Sequence, residues 1–485
     1  MIGTLESTLQ NLFFHQDQRP KALVIGAVVG AVGVLLGLSV VYLGWIITFG
    51  AVGALLVGLY LLTSLEGALY VLIATAILLP FGTLPFRIGF TPSLIETALG
   101  GFLVVYLMQW MSGRRRTLHL TPVSWSIVVL LLVLVLAFIL GLRHAMFTMN
   151  TLKTFVSLCG IIGFSLILAD VASHVLILRR ISLVMLLVGA VAGTIGIVLW
   201  LLPDATAETI LNRLGRFGYP VGGVIRYRED GVAIGQERAI GTWVDPNAYA
   251  GFLLMVGGLA GTQLFSPRPL TKYRWLAFAC FGMIITALFL SDSRGSFLGL
   301  VFGLGVVAVL RYRNLLWVGI AGALMMPFLP PTRAFLDRII AGFTASDLET
   351  QMRLGEYQDA LTLIERYPVL GVGFTGVPDI DLYVAVSSTY LLLASYAGAL
   401  GLLAFAMVFV TVIGWGLRWW AHIQRDDELA DVWLGLLAGI MGVLLGGVVD
   451  HFYFNPQFQA TSFMLWAFMG LFMATTRLVW EQESA

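Results

Sequence analysis

The sequence predicts an all-α polytopic membrane protein of about fourteen transmembrane helices. Three observations lead there: how few residues are charged, how long the apolar runs are, and how Lys and Arg divide between the connections. Of 485 residues, 59% are hydrophobic and 11% charged, with mean hydropathy +0.92. A water-facing domain carries about 25% charged residues, too many for this composition to match. Apolar runs of roughly 18 residues or more recur from near residue 22 to near residue 478, the length a helix needs to cross hydrocarbon. They are continuous, without the short alternation of a membrane β-barrel.

The helices are expected at 22–40, 42–63, 66–80, 92–111, 122–141, 150–169, 176–202, 246–265, 274–291, 295–311, 314–330, 386–415, 430–449 and 457–477. The first two divide an almost unbroken run from Leu23 to Leu62. With the N-terminus in the cytoplasm, the inner side holds Arg19, Lys21, Arg114, Arg115, Arg116, Arg179, Arg180, Arg268, Lys272, Arg274, Arg311, Arg313, Arg418, Arg425 and Arg477. The short outer connections hold Arg87, Arg143, Lys153 and Arg294, which is fifteen against four and the bias of the positive-inside rule. The organisation expected is a cytoplasmic tail (1–21), helices (22–202), an extracytoplasmic loop (203–245), helices (246–330), a large extracytoplasmic loop (331–385), helices (386–477) and a cytoplasmic tail (478–485). Met1 to Lys21 is polar and mixed, and reads as a tail rather than a signal peptide.

Both loops carry local patterns. Alternation around Asp230-Gly231 within 224–234 predicts a hairpin. Asp347 to Arg366 predicts an amphipathic helix, with Leu348, Met352, Tyr357, Leu361 and Ile364 near one stripe and Pro368 ending it. A net charge of +1 gives no general attraction to nucleic acid. Cys159 and Cys280 lie inside apolar runs and read as small buried hydrophobes. No nucleotide loop, zinc spacing or nucleophile elbow is present, and Asp379-Ile-Asp381 is too short a pattern to assign a metal.

Charged residues at the outer helix ends are the candidates for chemistry, because charge near hydrocarbon is costly and is kept for a partner or a task. Arg294, in Ser291-Asp-Ser-Arg-Gly-Ser296, reads equally as a snorkelling or Asp292-paired residue and as an anion receptor. Arg238 precedes Gly241-Thr-Trp-Val-Asp-Pro-Asn247, where Asp245 reads as a helix N-cap and Pro246 as the first helical residue. Arg353 lies on the loop helix near Glu349 and Glu356, so a plain surface charge competes with a binding role. Asp450-His451 closes a helix at its outer end, and histidine exchanges protons near neutral pH.

Together these stretches resemble the O-antigen ligase and O-antigen polymerase family of bacterial membrane glycosyltransferases. The resemblance runs from Arg238 to Gly470. It rests on Arg238-Ala-Ile-Gly-Thr-Trp-Val-Asp-Pro-Asn247, on Ser293-Arg-Gly295, on Arg353 followed by Glu365-Arg-Tyr-Pro-Val-Leu-Gly-Val-Gly373, and on Ser388-Thr-Tyr-Leu391 leading into Ala397-Gly-Ala-Leu-Gly401. It implies a GT-C-like fold in the bacterial inner membrane, and an inverting transferase without metal or other cofactor. The donor it implies is an undecaprenyl-diphosphate-linked oligosaccharide, the acceptor a glycan or lipid, in concert with polysaccharide assembly partners. Arg238 and Arg294 would hold the diphosphate, with Arg353 beside them. Where ligases of the family often carry His-Asn before the Tyr-Leu pair, this chain has Ser387-Ser388. That departure tilts the expectation towards a polymerase. It leaves His451 and Asp450 as the candidate catalytic pair, and Ser387, Ser388 and Tyr390 as loop or acceptor positioning residues. The other readings are a transporter or flippase of lipid-linked saccharide and an inactive scaffold. Against a transporter, charge is sparse at mid-depth apart from residues such as Glu96.

Overall fold

The structure is a computed structural model and describes residues 63–87, 89–144, 146–219, 221, 237–328, 330–344, 348–376 and 386–484, with scattered positions between 26 and 60. The chain falls into two compact units, Met1–Ala68 and Leu69–Ala485. In the first, residues 33–41 are helical. The second carries every feature discussed below. Fifteen helices from α1 onward can be followed from residue 65, and no strand occurs among the described residues.

The first five are apolar: α1 (Leu65–Leu78), α2 (Leu94–Met111), α3 (Ser124–Gly141), α4 (Met149–Val171) and α5 (Val175–Leu201). Their starts follow ordinary capping chemistry. Ser93 accepts from the Glu96 N–H while Glu96 reaches back to the Ser93 N–H, a reciprocal box that fixes the first turn of α2. Thr148 does the same one-way service for α4. A short polar helix, α6 (Asp204–Arg213), follows α5. Next come α7 (Pro246–Gln263), α8 (Arg274–Leu290), α9 (Arg294–Leu310), α10 (Asn314–Met325), α11 (Pro330–Phe343) and α12 (Leu348–Arg366). The chain closes with α13 (Thr389–Ile423), α14 (Ala430–Gly446) and α15 (Gln459–Ser484).

Six helices (α2, α3, α4, α5, α13 and α15) are long and apolar enough to cross a membrane, and α1, α8, α9 and α14 are shorter apolar helices. The chain is thus a multi-pass membrane protein. The expected fourteen exceed the six for two reasons. The readings at 22–40 and 42–63 lie partly and almost wholly, respectively, outside the described residues, and tight turns shorten others. Helices α8 and α9 have 17 residues each, about 26 Å of rise, against a hydrocarbon core of roughly 30 Å. The amphipathic helix expected at 347–366 is α12. Two helices were not expected: α6 and α11 sit where the sequence reads as loop. The hairpin expected over 224–234 and the Asp379-Ile-Asp381 pattern lie outside the described residues.

Side-chain contacts sort the helix ends into two groups. At one end, Trp243 donates to the Ile77 carbonyl (3.0 Å), Lys153 to Thr91 (2.9 Å) and Thr389 to Asp450 (2.8 Å). At the other, Arg115 pairs with the buried Asp170 (2.9 Å), Arg179 donates to Glu428 (2.7 Å), and Arg477, with no exposed surface, donates to Ala172 (3.1 Å). Arg115, Arg179 and Arg477, all counted above as inner, therefore gather at one end. They are caps for carbonyls that hydrocarbon would otherwise leave unsatisfied.

The core is held by close backbone approach. A Cβ on Gly258 would lie 2.8 Å from the Gly439 nitrogen, and one on Gly299 2.6 Å from the Gly442 carbonyl oxygen. Helix α14 therefore packs against α7 and α9 through small residues, the usual solution where lipid offers no hydrophobic drive. Helix α13 is kinked at Gly398, whose φ of 64° and ψ of −164° break the helical ladder. The Pro368–Gly373 segment enters that break. Ala399 donates to Pro368 (2.8 Å), Leu400 to Val369 (3.1 Å), Val372 to Ser395 (2.8 Å) and Gly373 to Tyr396 (2.9 Å). The backbone groups released by the kink are thus paired by the loop that follows α12.

Candidate active site

Arg238 reaches its place through the extended stretch before α7. The Ala239 N–H donates to the Leu290 carbonyl (2.8 Å), which ties this stretch to the end of α8. The Arg238 guanidinium, 6% exposed, donates from Nε to the Ser291 carbonyl (2.8 Å) and from Nη2 to Asn247 Oδ1 (2.6 Å). Asp245 caps α7, its carboxylate accepting from the Ala248 N–H (2.7 Å), as the Asp-Pro-Asn step implies. Burial pushes the Asp245 carboxyl pKa up, against the pull of the nearby Arg238 and Arg353 charges.

Arg294 opens α9 directly after the turn Ser291-Asp292-Ser293. Asp292 takes φ 57° there, and Val244, beside Asp245, takes φ 62°. For the β-branched Val244 that conformation is an outlier costing of order 1–3 kcal/mol, which concentrates strain on the segment between Arg238 and α7; an aspartate adopts it more readily. The Arg294 guanidinium lies against α11, where a Cβ on Gly342 would meet its Nη1 at 2.8 Å. Beside it, a Cβ on Gly295 would meet Asp450 Oδ2 at 2.9 Å.

Arg353 comes from α12. It donates to the Val449 carbonyl (2.6 Å) and stands 3.7 Å from Asp450 Oδ1, a carboxylate only 3% exposed. The sequence left Arg353 between surface charge and site residue; its guanidinium is partly buried at the end of α14. The same turn carries His451. Burial and the charge of Arg353 lower its pKa to about 4, and its Nδ1 has no hydrogen-bond partner among the described residues. The same shift favours the neutral ring, which can accept a proton but is a weaker base than an exposed histidine. Its ring packs on Phe452 (4.5 Å) and Phe458 (5.5 Å).

The three arginines thus stand at one end of the bundle: Arg238 and Arg353 both act on Asp245, Arg353 pairs with Asp450, and Asp450 lies against Gly295, next to Arg294. The positioning candidates are engaged more prosaically. Ser388 is the N-cap of α13, accepting from the Leu391 N–H, and the Ser387 N–H donates to Glu356 Oε2 (2.8 Å). The Tyr390 hydroxyl donates to the Leu444 carbonyl (2.6 Å), fastening α13 to α14. Three participants were missed in the sequence. Tyr357 donates to the Ser387 carbonyl (3.0 Å), Glu356 holds the same residue, and Gly342 admits Arg294. The stripe on α12 hinted at Tyr357; nothing local distinguished Gly342. Among the described residues no group of three or more His, Cys, Asp or Glu could hold a metal ion.

Comparison with known proteins adds one finding. The O-antigen ligase family model matches residues 276–390, which bears out the family resemblance read from the sequence. The match contains Arg294, Arg353, Ser387, Ser388 and Tyr390, while Arg238, Asp450 and His451 lie outside it. No curated protein matches the chain.

Proposed function

We propose that the chain is a glycosyltransferase that moves glycan from an undecaprenyl-diphosphate carrier to a sugar acceptor at the extracytoplasmic end of its bundle. The family match supports a membrane glycan-transfer role in polysaccharide assembly. The observation that carries the finer reading is the placement of Arg238, Arg294 and Arg353 at one end of the bundle, with Arg238 bonded to the turn that opens α9 and Arg353 paired with Asp450 beside Gly295. Guanidinium groups are permanently charged and match phosphate oxygens in bidentate geometry.

In this reading the acceptor hydroxyl attacks the anomeric carbon from the face opposite the diphosphate, and the configuration inverts. The new C–O bond forms as the bond to the diphosphate oxygen breaks, with its electron pair leaving on that oxygen. Fixed guanidiniums stabilise the growing charge, and no reorganisation is needed at the moment of transfer. The hydroxyl proton passes to the neutral His451. Asp450 keeps Arg353 in place and is the alternative base. Helices α11 and α12, folded over Arg294 and Arg353, cover the site and frame the acceptor side. The end holding Arg115, Arg179 and Arg477 faces the cytoplasm, both termini are cytoplasmic, and the membrane is the bacterial inner membrane.

Ser387-Ser388, in place of His-Asn, favours a polymerase over a ligase. The test uses purified protein in lipid with undecaprenyl-diphosphate oligosaccharide and EDTA. A ladder of longer lipid-linked products identifies a polymerase, and transfer only to an added lipid or glycan acceptor identifies a ligase. Passage of the donor across vesicles with no new glycosidic bond contradicts the proposal and makes the chain a flippase.

A further inference from the structure

Helices α2 and α4 leave a groove between them with a volume of about 490 Å³, within the range of about 300–1,000 Å³ typical of small-molecule sites. Its walls are apolar: Leu99, Leu103, Leu152 and Val156, with Gly100 and Gly160 where side chains would otherwise fill it. One end is polar. There Lys153 stands 3.2 Å from Glu96, whose carboxylate also accepts from Ser157 Oγ (2.6 Å), Gln459 Nε2 (2.7 Å) and the Ser93 N–H (2.8 Å). Lys153 further donates to the Thr91 carbonyl. The charges at this end neutralise each other, and every polar group named has a partner within the protein.

The polar end adjoins the candidate active site. Gln459, which bridges Glu96 and Ser93, follows Phe458, and the Phe458 ring is 5.5 Å from that of His451. One aromatic ring thus separates the groove's head from the turn that holds Arg353. A phospholipid seated here would bring its phosphate to Lys153, whose charge Glu96 already answers. A single chain whose anionic head rests on the arginines has no such conflict.

We propose that this groove takes the first isoprene units of the lipid diphosphate donor. The inference rests on the function proposed above and adds where the carrier's chain lies. An apolar channel that accepts one unsaturated, methyl-branched chain makes the carrier a specificity element rather than a passive anchor, because shape-matched walls give that chain closer dispersion contacts than fluid lipid does.

The test is photolabelling of the full-length protein in nanodiscs with a polyprenyl diphosphate bearing a diazirine on its second isoprene unit. The labelled peptides are mapped in wild type and in Gly100→Leu/Gly160→Leu. A Cβ on Gly100 meets nothing within 4 Å, and one on Gly160 meets only Leu99 at 3.7 Å, so both positions accept side chains. Val156→Trp, at a position 57% exposed, narrows the groove from its rim as a second variant. The label should fall on α2 and α4, be displaced by undecaprenyl diphosphate but not by excess phosphatidylglycerol, and drop in both variants. The KM for the long-chain donor should rise about tenfold, about 1.4 kcal/mol of lost packing, while a short-chain donor is unaffected. Label elsewhere, equal displacement by phosphatidylglycerol, or equal loss with both donors overturns the proposal. Transfer by wild type with label elsewhere rejects the groove alone; groove labelling without transfer of glycan rejects the transferase reading instead.

Discussion

Arg238 and Arg294 approach the same end of the bundle with different kinds of support. Arg238 is held on both sides of its guanidinium, by the Ser291 carbonyl and by Asn247. Arg294 leans on the open backbone of Gly342. Removing either should lower kcat/KM about 10²–10³-fold if each stabilises charge in the transition state. Arg238→Ala should also cost stability, about 1–3 kcal/mol, because it leaves the buried Ser291 carbonyl without the Arg238 donor. Thermal unfolding in detergent beside initial rates separates the two effects. Equal rates in wild type and Arg294→Ala count against any role in the donor site. His451 makes a pH-dependent prediction. Its folded pKa, about 4, lies below the ordinary value, so the neutral form is favoured in the native state. Native stability contributed by this group is complete above about pH 6.5 and falls as pH drops through the window to about 4. The kcat/KM profile should stay flat from about pH 8 to about pH 5, with its acid limb close to 4. The limb in kcat should sit higher, since a bound diphosphate favours the imidazolium. His451→Gln should remove the limb and lower kcat about 10²–10⁴-fold; an unchanged profile assigns the base elsewhere.

Among the elements, the kinked α13 sets the geometry of the large loop. Gly398 and Gly371 both take positive φ, and each would carry a Cβ into backbone across the junction, Gly398 into Val369 and Gly371 into Tyr396. Gly398→Ala should destabilise the fold by more than about 1 kcal/mol, seen as a lower Tm and as new protease cleavage after α12. Unaltered cleavage and Tm contradict the clamp. Tyr357 joins the loop helix to Ser387, so Tyr357→Phe should cost about 1 kcal/mol and loosen α12, which carries Arg353. The same elements show what could be read in advance. Helix α12 was legible because its apolar stripe repeats at helical spacing and Pro368 stops it. Helix α11 was not, because Pro330-Pro331 reads as a break even though proline also suits a first helical turn. Ser388 reads as a loop or acceptor positioning residue, whereas its hydroxyl caps α13, and only the three-dimensional arrangement distinguishes these.

For the whole molecule, the separation of contacts into two ends is what the Lys and Arg count anticipated. The apolar runs revealed helix order, because burial in hydrocarbon demands continuous sequence. They did not reveal which arginine meets which carboxylate, because Arg353 and Asp450 are nearly one hundred residues apart in the chain. The topology makes its own prediction. In a variant without Cys159 and Cys280, a cysteine placed at Asp204 should react with an impermeant maleimide from outside intact spheroplasts. One placed at Asp427 should react only after permeabilisation. The reverse pattern would put the arginine set in the cytoplasm, where a transferase using nucleotide sugars would be the better account.

The most direct measurement is release of undecaprenyl diphosphate from a lipid-linked oligosaccharide by the purified protein in nanodiscs, with acceptor and EDTA present, for wild type beside Arg294→Ala. The account predicts release coupled one-to-one to new glycosidic bonds in wild type, and a fall of about 10²–10³-fold in the variant with donor binding still measurable. Release at the wild-type rate without Arg294, or binding of donor with no release by the wild type, contradicts it.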